Sequence, residues 1–260
     1  MVGLAQRRLS RSGAPTCSAL PCASDGGSVI LRGPIPLHSD GKLAAWGVAG
    51  LLDYQGVLDL AVQRAAAMDE ATTQPSGLVA IRGLKRDTLD PICAAHGAYV
   101  AIVNAEDQMV VGGTSEALAA VIHDAQGHGA ERTTMLPVAV PAHTPLLAAA
   151  SDRFRQALTK AQLPAEVPSG VRLLSGIDGA AVFDVRAGAD KLTRQIQQTV
   201  DWAACMQSCR AAGVTKVIEL GPGNALARLM HEFMPDGDVH SLSEFRSLPG
   251  FEHWVRRSPS

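Results

Sequence analysis

The first candidate for chemistry is a serine that stands directly before a run of small, apolar residues. Ser39 lies in the sequence His-Ser-Asp-Gly at residues 38–41, and residues 43–49 have the composition of a tightly packed helix. A serine on a sharp turn at the head of a helix is open to a general base, and the helix N-terminus stabilises a developing oxyanion. The alternative is that Ser39 or Asp40 only caps this helix, and the tetrapeptide taken alone favours that alternative.

A histidine between two prolines is the second candidate. His143 lies in the sequence Pro-Ala-His-Thr-Pro at residues 141–145, and the two prolines stiffen the backbone around it. An imidazole in such a loop suits a general base that takes the proton of a nucleophilic hydroxyl. The alternative is a surface histidine in front of a helix, without a chemical role.

An arginine on an otherwise apolar helix face is the third candidate. Four residues share one face of the helix predicted over residues 55–71: Val57, Ala61, Arg64 and Met68. Such an arginine either extends its guanidinium to water or keeps it buried to bind an anion, and the sequence leaves the two alternatives about even.

The elements that must position these side chains fall into two groups. Residues 77–138 predict the element order β-α-β-β-α-β, which is the ferredoxin-like arrangement. The flanking residues 37–76 and 139–260 alternate helices with strands, which predicts an α/β domain with a mostly parallel sheet. In the second flank we expect a strand, a long helix, a strand and a further helix at residues 171–175, 191–212, 215–220 and 224–233.

Composition excludes several classes of function. The chain has 260 residues, a formal net charge of −2 and only 4% aromatic residues, which argues against binding to nucleic acid. No segment is apolar over the length of a membrane span, and the five cysteines fit no zinc-binding spacing. We therefore expect a cytoplasmic protein that has no metal site and does not associate with a membrane. Residues 1–36 show no regular period, and we predict no secondary structure for them.

Five motifs in a fixed order resemble the malonyl-CoA:acyl-carrier-protein transacylase family. They are His-Ser-x-Gly with Leu-Ala-Ala-Trp-Gly-Val-Ala-Gly at 43–50, an arginine twenty-five residues after the serine, Ile-Val-Asn-Ala-Glu-Asp-Gln-Met-Val-Val-Gly at 102–112, Pro-Ala-His at 141–143, and Glu-Leu-Gly-Pro-Gly at 219–223. The resemblance covers roughly residues 37–245. Within this superfamily, Leu-Ala-Ala-Trp-Gly and the small residue Ala142 are most similar to the epsilon subunit of malonate decarboxylase.

The resemblance implies an α/β acyltransferase domain with a hydrolase-like parallel sheet and a role for each candidate residue. Ser39 would be the acylated nucleophile, His143 its base, and the backbone carbonyl of Gln195 the group that orients the histidine. Arg64 and His38 would bind substrate, with Arg64 holding the malonyl carboxylate through two parallel hydrogen bonds. Malonyl would pass from CoA to the serine and then to a carrier thiol, without a bound cofactor.

The carrier implied by this resemblance leaves alternatives open. In malonate decarboxylase the thiol belongs to a phosphopantetheine-like, dephospho-CoA-derived arm, so the expected partners are an acyl-carrier protein and other malonate decarboxylase subunits. A transacylase of fatty-acid or polyketide synthesis is an alternative, in which Phe or Ser often takes the place of Ala142. A truncated, inactive subunit that only binds the carrier is another.

The sequence departs from the family pattern around the candidate nucleophile. Leu37 replaces an expected glycine, Lys42 replaces an expected acid, and residues 1–36 hold no Gly-Gln-Gly-type loop. That loop would supply an oxyanion-hole donor, so its loss favours the inactive alternative. The differences also raise the hypothesis that residues 1–36 arise from a reading-frame error or a truncated gene.

Overall fold

The computed structural model of the chain describes residues 41–220 and 223–257. Ser39, His38 and Leu37 lie outside the described residues, as does the predicted irregular segment 1–36. What the sequence predicts for them therefore stays a prediction.

Two helices open the described part of the chain. They are α1, Gly41–Val48, and α2, Tyr54–Ala71, and both agree with the prediction to within about two residues. Gly50, with a φ of 74°, follows the first helix and ends it. Asp53 begins the second helix, because its carboxylate accepts a hydrogen bond from the N–H of Gly56 at 2.7 Å.

Residues 76–135 form a mostly antiparallel sheet with two helices. The elements are β1, Ser76–Arg82; α3, Arg86–His96; β2, Tyr99–Ala105; β3, Gln108–Thr114; α4, Ser115–Gly127; and β4, Arg132–Met135. β1 pairs antiparallel with both β3 and β4, and β3 pairs antiparallel with β2, which gives the spatial order β4-β1-β3-β2. The order along the chain is β-α-β-β-α-β. That these residues form a separate subdomain stays a prediction.

Alternate residues of this sheet face two different cores. Val79 and Val111 pack with Leu89 of α3 and Leu118 of α4 in the smaller core. Leu78, the neighbour of Val79, belongs instead to the larger core, to which α2 also contributes. Because side chains on a strand alternate between the two faces, one sheet joins both cores.

The second part of the chain alternates helices with short strands. A 3₁₀ turn at Pro145–Leu147 is followed by α5, Ala148–Thr159; α6, Val185–Arg194; β5, Val200–Asp201; α7, Trp202–Ala211; β6, Lys216–Glu219; α8, Ala225–Phe233; β7, Asp238–Ser241; and α9, Leu248–Arg256. β5 extends the antiparallel sheet by pairing in parallel with β2. β6 and β7 form a parallel pair of their own. The pair β6–β7 lies within residues 139–260, where the sequence predicts a mostly parallel sheet, whereas β5 pairs with a strand of residues 77–138.

Two predictions for residues 171–212 are wrong. The expected strand at residues 171–175 is irregular, and within it Leu174 makes only an isolated bridge to Ala181. The expected long helix is two helices, α6 and α7, because the chain leaves the helical path after Gln195. Thr199 then bonds through its hydroxyl to the carbonyl of Val100 at 2.7 Å, and this bond ties the connection to the neighbouring strand β2.

Gly179 and Gly97 allow a matched test of the packing of this irregular segment. Both have a φ of 67°, but a Cβ at Gly179 would lie 2.5 Å from the backbone carbonyl carbon of Ala204, whereas a Cβ at Gly97 would meet nothing within 4 Å. We expect Gly97→Ala to cost about 1–2 kcal/mol of unfolding free energy through backbone strain alone. Gly179→Ala should cost about 1–3 kcal/mol more, because a backbone atom cannot move aside.

Urea denaturation of both variants measures this difference. Equal losses in the two variants would mean that the segment containing Gly179 does not pack against the first turn of α7.

Candidate active site

Arg64 is buried in the larger core. It is 1% exposed, and its three guanidinium nitrogens are buried. Of the four residues that the sequence predicts on one face of α2, Arg64 and Met68 are buried, whereas Val57 and Ala61 are only half-buried. The structure therefore decides between the two alternatives that the sequence left even: the guanidinium stays inside and does not extend to water. A buried guanidinium remains charged, so it suits recognition of an anion.

The helix that carries Arg64 lies beside the segment that carries His143. α2 packs along α5 and contacts the 3₁₀ turn at Pro145–Leu147, which begins two residues after the histidine. Ser39 and His38 are outside the described residues, and α1 begins at Gly41, two positions after the serine in sequence.

His143 adopts a backbone conformation that favours glycine. Its φ is 65°, and it is the only non-glycine residue with a positive φ within residues 41–220 and 223–257. Such a conformation costs on the order of 1–3 kcal/mol and persists only where the surroundings enforce it. The side chain is 4% exposed. The surroundings of His143 therefore hold a buried imidazole in a strained position, which is common at functional sites.

Two backbone carbonyls hold this histidine in place. The N–H of His143 donates to the carbonyl oxygen of Ile196 at 2.9 Å, and its Nδ1 is hydrogen-bonded to the carbonyl oxygen of Gln195. Because a carbonyl oxygen only accepts hydrogen bonds, Nδ1 must carry the proton of the neutral imidazole. Nε2 is then the unprotonated nitrogen, which is the state that a general base requires.

Gln195 is placed for this contact by the end of α6. It caps the helix, and its N–H donates to the carbonyl of Lys191 at 3.0 Å. Its side chain is 4% exposed and packs against Gly176, where a Cβ would lie 2.9 Å from Nε2 of the glutamine amide. The structure thus brings together His143 and Gln195, which are 52 residues apart in sequence. The roles predicted for both stay predictions.

Two residues around His143 that the sequence did not single out also shape its loop. Thr144 is fully buried, and its hydroxyl donates to the carbonyl of Pro141 at 2.7 Å. Gly112 lies beneath this loop, since a Cβ there would be 2.7 Å from Cγ2 of Thr144. A glycine inside a strand often marks a close approach of another backbone, and this signal was present in the sequence.

The described cysteines are not suited to act as nucleophiles. Cys93, Cys205 and Cys209 are buried, and the thiol of Cys205 donates to the carbonyl of Ser175 at 3.4 Å. Burial raises the pKa of the Cys93 thiol to about 12 and that of Cys209 to about 11, so both remain protonated near neutral pH. Among the residues that the structure describes, no group of His, Cys, Asp and Glu side chains is arranged to hold a metal ion. No helix in that part of the chain is long and apolar enough to cross a bilayer.

Glu219, which opens the Glu-Leu-Gly-Pro-Gly motif, has a structural contact. It is 5% exposed at the end of β6, and its Oε2 accepts a hydrogen bond from the N–H of Ala227 at 2.9 Å. Burial raises the pKa of the Glu219 carboxyl, although the N–H groups of Ala227 and Leu226 act in the opposite direction. The carboxylate therefore caps the first turn of α8.

Glu219→Gln should change how stability depends on pH. Above its ordinary pKa of about 4.3, the carboxyl loses its proton more readily in the unfolded chain than in the fold. Rising pH therefore destabilises the wild type between that value and the raised pKa of Glu219, whereas glutamine does not titrate. We expect the unfolding free energy of Glu219→Gln, measured relative to that of the wild type, to increase between pH 4 and pH 7.

Urea denaturation at both pH values measures this gain. Glu232→Gln, on the exposed side of the same helix, is the control. A gain that shrinks as pH rises, or an equal gain in the control, would contradict the buried-carboxylate account.

The model of the family described as "Acyl transferase domain" matches residues 35–244 of this chain. The match includes Ser39, Arg64, His143 and Gln195 and ends before α9.

Named relatives cover the same part of the chain. The malonyl CoA-acyl carrier protein transacylase of Salmonella typhimurium is 30% identical over 216 residues, which are 81% of this chain and 69% of that protein. The protein of the same name from Escherichia coli K12 is 30% identical over 212 residues, or 80% and 68% of the two chains.

Solved structures of similarly named enzymes share the fold. The acyl-carrier-protein S-malonyltransferase of Burkholderia pseudomallei is 32% identical, with a TM-score of 0.76 over 85% of this chain and 71% of the other. The malonyl CoA-acyl carrier protein transacylase of Coxiella burnetii is 26% identical, with a TM-score of 0.78 over 88% and 73% of the two chains. The mixed α/β architecture is therefore shared with acyltransferase structures.

Proposed function

Because this chain belongs to the malonyl CoA-acyl carrier protein transacylase family of acyl transferase domains, we propose that it transfers malonyl from malonyl-CoA to the thiol of an acyl-carrier protein. One observation carries the proposal beyond the family match. The Nδ1 of buried His143 is hydrogen-bonded to the carbonyl of Gln195, so in the neutral imidazole Nδ1 carries the proton and Nε2 is the basic nitrogen. This is the arrangement that a hydroxyl nucleophile needs in order to be activated.

The first half of the reaction acylates Ser39. Nε2 of His143 takes the hydroxyl proton while the serine oxygen attacks the thioester carbonyl of malonyl-CoA. The tetrahedral intermediate then breaks its carbon–sulfur bond, and the CoA thiolate leaves with the proton held by His143. N–H groups at the start of α1 are proposed to stabilise the oxyanion.

The second half returns the enzyme to its starting state. The thiol of the carrier's phosphopantetheine arm gives its proton to His143 and attacks the malonyl ester of Ser39. The carbon–oxygen bond breaks, and the serine oxygen recovers the proton from the imidazole. No bound cofactor takes part, because the acyl group is carried first by the serine and then by the carrier thiol.

Arg64 is proposed to select malonyl over acetyl groups. Its guanidinium is buried on α2, the helix that packs beside the His143 segment. A guanidinium pairs with a carboxylate through two parallel charge-assisted hydrogen bonds, and these are stronger away from water. Acetyl groups have no carboxylate to offer. The proposed role of His38 as a second substrate-binding residue rests on the family resemblance alone.

The relatives favour delivery to an acyl-carrier protein, as in fatty-acid synthesis, over a place in malonate decarboxylase. The relatives described above are named for transfer to acyl carrier protein. Malonate decarboxylase is supported here only by the sequence at residues 43–47 and by Ala142 before the histidine. Those two features are local, whereas the family match spans residues 35–244. A cytoplasmic location stays a prediction from the sequence.

A transfer assay with two carriers tests the proposal. Labelled malonyl-CoA is offered with an acyl-carrier protein bearing phosphopantetheine, or with a malonate decarboxylase carrier bearing the dephospho-CoA-derived arm. We expect label on the first carrier and none with Ser39→Ala. Preferred labelling of the second carrier would instead support malonate decarboxylase. A folded sample that labels neither carrier would support the inactive alternative.

A further inference from the structure

Ser151 connects the helix that follows His143 to the turn that carries Gln195. It lies fully buried on α5, and its hydroxyl donates to the carbonyl oxygen of Thr193 at 2.9 Å. A serine inside a helix ordinarily bonds to a carbonyl of its own helix or to water. Here the hydroxyl instead bonds to the last turn of a different helix, α6, where the carbonyl of Thr193 has no N–H donor within the helix itself.

The carbonyl of Thr193 closes the turn that holds the histidine. It also accepts a hydrogen bond from the N–H of Ile196 at 3.1 Å. The two carbonyls that bind His143, those of Gln195 and Ile196, both lie in this turn. The bond from Ser151 therefore fixes the turn from the side of α5, the helix that begins just after the histidine.

The strained backbone of His143 makes this bond consequential. A positive φ at a histidine is retained only if the neighbouring groups enforce it, and the carbonyls of Gln195 and Ile196, which both bond to His143, lie in the 193–196 turn. If the end of α6 frays, the carbonyl of Gln195 moves off Nδ1. The imidazole then loses both its orientation and the tautomer with the proton on Nδ1.

We propose that Ser151 is a positioning residue for the general base. It holds the 193–196 turn, so that the carbonyl of Gln195 stays on Nδ1 of His143 and the proton of the neutral imidazole stays on that nitrogen. The inference rests on the proposed function, because it assigns Ser151 a part in activating the serine of that reaction.

Single-turnover acylation tests this role. In Ser151→Ala we expect the rate of malonyl-enzyme formation at saturating malonyl-CoA to fall about tenfold, because a small misplacement of the base is costly. The KM for malonyl-CoA should change less than about twofold, since Arg64 is on another helix. Ser151→Cys, which keeps a weak donor of similar size, should restore part of the rate.

Thr199→Val is the matched control. It removes another hydroxyl that bonds to a backbone carbonyl between elements, that of Val100 at 2.7 Å, without touching the 193–196 turn. We expect its acylation rate to stay within about twofold of the wild type. An equal loss of rate in both variants, or no loss in Ser151→Ala, would overturn the proposal.

A second readout does not depend on activity. Proton NMR follows the Nδ1–H signal of His143, assigned by its absence in His143→Gly. We expect this signal to exchange slowly with water in the wild type and in Thr199→Val, and faster in Ser151→Ala. An unchanged signal in Ser151→Ala would contradict the positioning role. If the wild type forms no malonyl-enzyme, the proposed function fails, whereas the signal still decides the role of Ser151.

Discussion

Replacing His143 with glycine is expected to lower the rate of malonyl-enzyme formation by about 10²–10⁴-fold, the usual contribution of a positioned general base. Glycine removes the imidazole that takes the serine proton, and it accepts the φ of 65° without strain. The variant should therefore fold at least as well as one with alanine at this position. Single-turnover mixing with malonyl-CoA, followed by intact mass measurement, gives the rate.

Two controls separate chemistry from folding in this experiment. Added imidazole should restore part of the activity of His143→Gly, because the space left by the side chain admits a free base. His128→Ala should keep the wild-type rate, since His128 is exposed just after the end of α4 and its Nδ1 bonds to the carbonyl of Asp124. A His143→Gly variant that acylates at the wild-type rate would exclude His143 as the base.

The second large effect is expected at Arg64, as a loss of discrimination between malonyl and acetyl groups. Arg64→Met keeps much of the buried volume and removes the charge, so the ratio of malonyl to acetyl transfer should fall by about 100-fold or more. Arg64→Lys should lie between Met and the wild type, because an ammonium is a point charge without the fork geometry of guanidinium. Competition between labelled malonyl-CoA and acetyl-CoA measures the ratio.

Acetyl transfer serves as the internal control for folding in these variants. We expect it to be retained in Arg64→Met, because the acetyl group does not use the guanidinium. Malonyl and acetyl transfer that both remain unchanged in Arg64→Met, or in the smaller variant Arg64→Ala, would show that this residue does not hold the carboxylate.

The sequence predicted the positions of most helices because apolar spacing and capping residues are local signals. Thr114, for example, caps α4 through its side chain. The burial of Arg64 could not be predicted in this way. Arg64 lies on the same face of α2 whether its guanidinium extends to water or stays inside. Only the packing of α2 against α5 decides between these two positions of the guanidinium.

The geometry around His143 depends on contacts that no local pattern records. The Pro-Ala-His-Thr-Pro sequence predicts a stiff loop, but it does not indicate the positive φ of the histidine. The role of Gln195 was predicted from the family resemblance. Ser151 occupies an ordinary position in a predicted helix, and nothing in the local sequence indicates its contact with another helix. The long helix predicted across residues 191–212 failed because the chain turns after Gln195, where the carbonyls of Gln195 and Ile196 bond to His143.

The most direct test of the central claim is an intact-protein mass spectrum after brief incubation with malonyl-CoA. The wild type and Ser39→Ala are compared under identical conditions, with folding of both verified by urea denaturation. The account predicts one malonyl adduct on the wild type and none on Ser39→Ala. An adduct that persists in Ser39→Ala would contradict the assignment of the nucleophile, and a folded wild type without any adduct would contradict the proposed transfer itself.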